Sequence, residues 1–191
     1  MEILETNRFR LEMIQDKHYQ YLNSYALKEE LWVYSTVKIK TEDDFKEYFN
    51  QALAWSNQTS QQAFVVCDLE KDEYIGMTRL YAFDSKNKSA KLGFTWYALE
   101  SQGTGVNTHV KYLVLKHAFE KLNLERIELN ADLRNERSIA AMKKMGATQE
   151  GILRKNVYLP DGFKRDTVIF SVLKEDWEGG LKFQLEDKIK L

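Results

Sequence analysis

The sequence predicts a mixed α/β domain whose central, largely antiparallel sheet of about seven strands is flanked by helices. Three observations predict it. Short runs alternate apolar with polar residues, as half-buried strands do, while four longer stretches repeat apolar residues every three to four positions, as helices do. Three strand-like runs succeed one another between residues 63 and 98 with only polar turns between them, which favours hairpins over parallel crossovers. Punctuation is sparse, with one proline and nine glycines, so the few turns it marks carry most of the topology.

Taken in order, Ile3 to Ile14 mixes Leu4, Phe9, Leu11 and Met13 with Glu5, Arg8, Arg10 and Glu12 and reads as a strand. Gln15 to Lys28 spaces His18, Tyr21, Leu22, Tyr25 and Ala26 as a helix face, and Leu31 to Ile39 is irregular and aromatic. Thr41 with Asp44 three residues on is a capping-box pattern, Asp replacing the usual Glu. The helix behind it puts Phe45, Tyr48, Phe49, Ala52 and Trp55 on one side, and polar Ser56 to Gln62 ends it. Ala63–Leu69 and Tyr74–Phe83 form a hairpin across Glu70–Glu73, and the strand Ala90–Ala98 follows the polar turn Asp84–Ser89. Val106 to Lys121 is a long helix with Val106, Val110, Leu113, Val114 and Ala118 at helical spacing, and Arg126–Ala131 is a strand. Asn135 suits the N-cap of a helix over Glu136–Met145, and Gly146 stands where a C-cap glycine belongs. Ala147–Tyr158 and Phe163–Leu173 close the sheet across Leu159-Pro160-Asp161-Gly162, which is strong turn chemistry. Lys174 to Leu191 is charged and amphipathic in places, a terminal helix or a partly disordered tail. The expected organisation is one domain over residues 1–177 and a charged C-terminal extension over 178–191.

Composition narrows the function. Lys+Arg 28 against Asp+Glu 29 gives a net charge of -1, so no global basic field points to nucleic acid. No apolar run is long enough to span a bilayer, and Met1-Glu2-Ile3-Leu4-Glu5 lacks a basic-then-apolar signal pattern. The single cysteine, Cys67, excludes an internal disulfide and a Cys-based zinc site. His18, His109 and His117 are scattered, with no second ligand four residues on, so no metal site is expected. A cytoplasmic protein, monomer or homodimer, is the default these observations leave.

The chemistry concentrates in Ser101-Gln102-Gly103-Thr104-Gly105-Val106-Asn107-Thr108, between a strand and a long helix. The first N–H groups of a helix have no internal partners, the helix dipole is positive there, and glycines allow a ligand close to the backbone. That makes an anion site, or else a tight strand–helix loop with no ligand. A dinucleotide fingerprint needs a third glycine where Thr108 stands and an early βαβ unit; neither is present. A Walker A loop fails as well, because no Gly-Lys-Ser/Thr follows.

Taken together, Gln102-Gly103-Thr104-Gly105-Val106-Asn107, Asn135-Glu136-Arg137-Ser138, Met145-Gly146-Ala147 with Glu150-Gly151-Ile152-Leu153-Arg154, and Arg165-Asp166-Thr167-Val168 resemble the GNAT acyltransferases, more narrowly their RimJ/RimL-type branch, over about Leu4 to Trp177. The resemblance implies a GNAT fold and acetyl transfer from acetyl-CoA to a primary amine, either a protein N-terminus or a small molecule. It implies that backbone N–H groups from Gln102 through Asn107 (Gln102, Gly103, Thr104, Gly105, Val106, Asn107) hold the pyrophosphate. Asn107 stands where a small residue is usual, so its side chain either donates to the ligand or turns away. The resemblance further places Asn135 against the CoA arm and the Ser138 hydroxyl near the thiol as the catalytic donor, although capping alone would explain both residues. Many members carry a tyrosine acid where this chain has Met142, which leaves Ser138 or a water for that task. No carboxylate occupies the neighbourhood of Asn156-Val157-Tyr158 where some relatives have a base. Glu100, Asp161 and Asp166 lie near the expected cleft mouth and read better as turn or surface residues. Trp32, Tyr34 and Trp96 could line the acceptor side, where no acidic run announces a polycationic substrate. The competing reading is a non-catalytic acyl-CoA-binding or regulatory domain.

Overall fold

A computed structural model describes residues 4–58 and 60–191. Ile3, the expected start of the first strand, and the Met1-Glu2 part of the N-terminal reading lie outside them. The first expected strand is two: β1 (Leu4–Glu5) and β2 (Phe9–Met13) pair antiparallel. Thr6 makes the reversal, its hydroxyl donating to the Phe9 carbonyl (3.2 Å) and accepting from the Phe9 N–H (3.1 Å). This fold-back brings the sheet to eight strands where about seven were expected.

Helix α1 (Tyr19–Ala26) buries Leu22 and Ala26 and leaves Tyr21 outside. Helix α2 (Glu42–Asn57) starts on the expected capping box: the Thr41 hydroxyl accepts from the Asp44 N–H (3.2 Å), and the Asp44 carboxylate accepts from the Thr41 N–H (2.9 Å). Its inner face is Phe45, Tyr48, Phe49 and Ala52; Trp55 stays at the surface, and Ser56 turns inward to accept from the Ala63 N–H. Strands β3 (Gln61–Asp68), β4 (Glu73–Asp84) and β5 (Ser89–Tyr97) form the antiparallel meander. Helix α3 (Val106–Lys116) continues into a π turn, His117–Lys121, and leads to β6 (Arg126–Asp132). Helix α4 (Glu136–Met145) is capped by the Asn135 side-chain oxygen, which accepts from the Ser138 N–H (3.0 Å), and Gly146 ends it. Strands β7 (Thr148–Tyr158) and β8 (Lys164–Leu173) close the sheet. The charged C-terminal segment is helical: a turn, α5 (Lys174–Asp176), a π turn over Trp177–Leu181, and α6 (Lys182–Ile189).

The strand order is β1-β2-β3-β4-β5-β6-β8-β7, antiparallel throughout except for β5 beside β6. That one parallel pair needs a crossover, and α3 supplies it. The pairing covers only Ser89–Lys91 against Arg126–Glu128. Past that point β5 holds to β4 and β6 to β8, so the sheet opens like a V.

Each face of the sheet has its own core. On one face, α3, α4 and the C-terminal helices bury Val110, Val114, Phe119, Trp177, Leu185 and Ile189 with Leu92 and Ile127 of the sheet. On the other, α1 and α2 bury Leu22, Phe45 and Phe49 with Val65, Met77 and Trp96. Each such fully buried side chain contributes about 1.5–3 kcal/mol, so both faces are fixed independently of any ligand, and the V lies between two rigid layers.

Candidate active site

The V opens into a cleft of about 720 Å³. Its mouth is the glycine-rich loop. After the turn Leu99–Ser101, Gly103 and Gly105 take left-handed φ values of 83° and 94°, a region that costs other residues energy. Nothing lies within 4 Å of where a Cβ would sit on either glycine, so their backbone is open to the cleft. Gly105 caps α3 without a side-chain hydrogen bond. Among the described residues, the N–H groups of Gly103, Thr104, Gly105, Val106 and Asn107 donate to no other protein group. Five unpaired donors on an uncapped helix start suit a phosphate or pyrophosphate.

The side chains of this loop face the protein. The Gln102 N–H bonds the Leu99 carbonyl (3.2 Å) and its side-chain amide donates to the Tyr97 carbonyl (3.0 Å), so Gln102 braces the junction and the unpaired donors begin at Gly103. The Thr104 hydroxyl donates to the Ser101 carbonyl (2.7 Å), and Arg8 reaches the Thr104 carbonyl (3.4 Å). Asn107 turns away from the mouth, its side-chain oxygen accepting from the Tyr97 hydroxyl (3.3 Å). Burial holds the Tyr97 phenol well above its ordinary range, so it stays a donor.

On the same face of the sheet, Asn135, Ser138 and Met142 of α4 line the cleft with Gln102, Gly103, Gly105, Val106 and Asn107, whereas Thr104 does not. The Asn135 oxygen is committed to capping, which leaves its amide N–H₂ as the group it can offer. The opposite wall is aromatic. Trp32 and Trp96 stand 5.8 Å apart, Trp32 meets Tyr48 at 5.6 Å, and Tyr34 lies at the rim. Behind that wall Arg79 is fully buried between the Tyr48 and Phe94 rings (4.2 and 4.7 Å). Its Nε and Nη1, with Trp96 Nε1 and the Tyr48 hydroxyl, have no hydrogen-bond partner among the described residues.

None of the three carboxylates read as turn or surface residues lines the cleft: Glu100 and Asp161 lie in turns and Asp166 lies in β8. Asp161 accepts from the Phe163 N–H and Asp166 from the Lys155 N–H, while Glu100 is exposed in its turn. The carboxylate in the cleft floor is Asp132. Burial works to raise its carboxyl, but two hydrogen bonds from the Arg134 guanidinium (2.9 and 2.7 Å) prevail and hold it below the usual range. The histidines hold structure: His18 contacts Glu12, His109 contacts Thr6 (3.0 Å) and His117 contacts Gln62 (2.8 Å).

Sequence reasoning missed two cleft residues with chemistry, Lys111 and Arg165. Lys111 had a signal, as the single charge within Val-Lys-Tyr-Leu-Val-Leu. Arg165 stands in a stretch that carries the resemblance, Arg165-Asp166-Thr167-Val168, but nothing there assigned its side chain to the cleft, because inward and outward residues alternate in every strand.

A sheet split beside an uncapped helix start, with a second helix capped at the same opening, is the arrangement of the solved acetyltransferase structures that the chain superposes on. The family model described as "Acetyltransferase (GNAT) domain" matches residues 8–148, and the chain belongs to that family. It is 36% identical over 104 residues to "Putative ribosomal N-acetyltransferase YdaF" of Bacillus subtilis (strain 168), a match spanning 54% of this chain and 56% of that one. It is 28% identical over 119 residues to the spermidine N(1)-acetyltransferase of Escherichia coli (strain K12), covering 62% of this chain and 61% of that one. A solved structure of a "putative acetyltransferase" from T. thermophilus superposes with a TM-score of 0.86 at 32% identity, over 98% of this chain and 97% of that one. The homologues it matches are named N-acetyltransferases. No helix among the described residues is long and apolar enough to cross a membrane.

Proposed function

We propose that the chain transfers an acetyl group from acetyl-CoA to a primary amine by direct attack in a ternary complex, in the cytoplasm. The observation that carries this is the row of five unpaired N–H groups from Gly103 to Asn107 at the mouth of a cleft that runs through the split sheet to an aromatic wall. The pyrophosphate fits the loop, with Gln102 bracing it and the backbone of Gly103, Thr104, Gly105, Val106 and Asn107 donating. Asn135 offers its amide N–H₂ to the pantetheine arm. The Ser138 hydroxyl donates toward the sulfur. The acceptor amine enters from the side of Trp32, Tyr34 and Trp96, where orientation next to the thioester supplies much of the rate.

The acceptor half favours a peptide N-terminus or an amino-acid-like amine over a polyamine. Of the two carboxylates that line the cleft, Asp132 is already paired with Arg134 and Glu30 is exposed to solvent. The cation on this side is Arg165, which lines the cleft and donates to the Tyr34 carbonyl (3.4 Å). Such a group pairs with carbonyl or carboxylate oxygens and repels a polycation. One relative is named for a ribosomal acceptor and another for spermidine, so both kinds of amine belong on the test panel.

The test pairs binding with turnover. Acetyl-CoA should raise the melting temperature, and thiol release over a panel of peptides and amines should rank peptides above spermidine. A second reading rests on Met142, which lines the cleft where a proton donor is usual: a binding domain without turnover. CoA binding with no thiol release on any acceptor would favour it.

A further inference from the structure

One side chain in the cleft has no assigned role and an unusual setting. Lys111 sits one helical turn beyond Asn107 on α3, 7% exposed, and lines the cleft. Its ammonium donates to the Thr95 hydroxyl (3.0 Å), which is 2.7 Å from the Thr78 hydroxyl. No carboxylate pairs with it among the described residues. An ammonium has three donors, so two have no partner among the described residues. A buried, unpaired lysine is a costly arrangement that core packing does not require.

Its place is specific. The β4–β5 register shifts between Met77 and Arg79, and Phe94 takes a left-handed φ of 50°. Thr95 lies in that irregularity, so Lys111 meets β5 where its regular pairing is broken. Lys111 approaches from α3, on the face that carries the phosphate loop and α4, opposite the core of Trp32, Tyr48 and Trp96. On the acyl-transfer reading above, the CoA arm lies along that face, so a group there is on the side of the leaving sulfur and not of the incoming amine.

We propose that Lys111 is the acid that protonates the departing thiol sulfur; this rests on the acyl-transfer reading above. The nitrogen lone pair of the acceptor forms the new N–C bond, the C–S bond breaks with its electron pair going to sulfur, and Lys111 gives sulfur its proton. The proton lost by the acceptor nitrogen passes to water, and water in the cleft reprotonates Lys111. Ser138 can hydrogen-bond the sulfur, but a hydroxyl is too weak an acid to leave a thiol behind, and Met142 has no proton to give.

Desolvation supports the assignment: burial pulls the Lys111 ammonium down to about 7, below an ordinary thiol at about 8.5, so the proton moves to sulfur. The other charged groups lining the cleft are Glu30, Asp132 of β6, Arg137 and Lys144 of α4, and Arg165 of β8, with Tyr97 on β5. Burial alone accounts for the Lys111 shift.

Three measurements on the full chain test this. First, an NMR titration of the Lys111 side chain in the ligand-free protein should show a midpoint near pH 7; a midpoint in the ordinary lysine range would overturn the proposal, because the proton would then stay on nitrogen. Second, Lys111→Met should fold, bind CoA within about threefold of wild type, and lose on the order of 100-fold in turnover. The wild-type rate should fall on the alkaline side as the ammonium is lost, and that limb should vanish in the variant. Unchanged turnover and an unchanged profile would overturn the proposal while leaving acyl transfer intact, whereas absent CoA binding in wild type would remove the acyl-transfer reading itself. Third, bound CoA should show no more ultraviolet thiolate absorbance in wild type than in the variant, because the proton rests on sulfur; a larger thiolate signal in wild type would overturn the acid role. Stoichiometric acetylation of Lys111 by acetyl-CoA alone would make it an acyl acceptor and overturn the acid role.

Discussion

The two faces of the split sheet solve different problems with different materials. The face of α3 and α4 presents backbone: five N–H groups set by two left-handed glycines and an uncapped helix start. The face of α1 and α2 presents side chains: Trp32, Tyr48 and Trp96 in mutual contact, with Arg79 behind them. Backbone recognition needs particular conformations, and conformations leave marks such as glycine spacing and caps. Side-chain recognition needs only the right surface, which many sequences provide. The donor half is therefore the general part of the molecule and the acceptor half the individual part.

The largest test of that contrast is Gly105→Glu. The new residue must adopt a φ of 94° and place a carboxylate among the phosphate donors. Strain and repulsion together should remove about 3 kcal/mol of binding, on the order of 100-fold in CoA affinity by calorimetry. Retained affinity would take the loop out of the site. Ser138→Ala acts on the same half but spares the backbone. It should lower kcat about tenfold, the worth of one hydrogen bond to a charged atom, with CoA affinity unchanged; an unchanged kcat would reduce Ser138 to a helix-turn residue. Tyr34→Ala probes the other half. Tyr34 is 37% exposed at the rim, so the fold should tolerate its loss. KM for the acceptor should rise about fivefold, roughly 1 kcal/mol, while CoA binding stays constant. A change in CoA affinity instead would mean that the two halves are not separable.

How much of this was legible follows the same division. Thr41 with Asp44, Asn135 and Gly146 mark helix ends through local hydrogen bonds, and the structure makes the Thr41–Asp44 and Asn135 bonds as expected. Residue by residue the split between β5 and β6 was not legible, because Leu92 to Tyr97 looks like any strand; it was the family resemblance that implied a splayed strand over Lys91 to Trp96, and the pairing does stop after Lys91. The reversal at Thr6 was hidden because it uses a hydroxyl where a glycine or proline would have announced it. Lys111 shows the limit most clearly. Every residue from His109 to Leu115 is buried, so α3 has no polar face to which a lysine could be assigned, and helical periodicity cannot say where its charge goes.

The smallest expected effect lies outside both halves, at the closed end of the V. Arg126 of β6 holds Glu150 of β7 through two hydrogen bonds, and the Ser171 hydroxyl of β8 donates to Glu150 (2.7 Å). Arg126 is also the residue that pairs with Ser89 where β5 and β6 still touch. Glu150 thus ties three strands at the hinge of the split. The Arg126 and Ser171 hydrogen bonds bring its carboxyl from 4.5 down to about 2. A depressed carboxyl contributes stability that is full above about pH 4.5 and is lost as pH falls toward 2. The pair is partly exposed, so solvent screening limits its contribution to about 1 kcal/mol or less. Glu150→Gln should then lower the melting temperature by about 2 °C at neutral pH, and the gap should close as pH drops through that window. CoA affinity and acceptor KM should both stay at wild-type values. If either moved, the hinge would be transmitting to the open end of the V, and the two faces could no longer be treated as independent of the strand pairing that joins them.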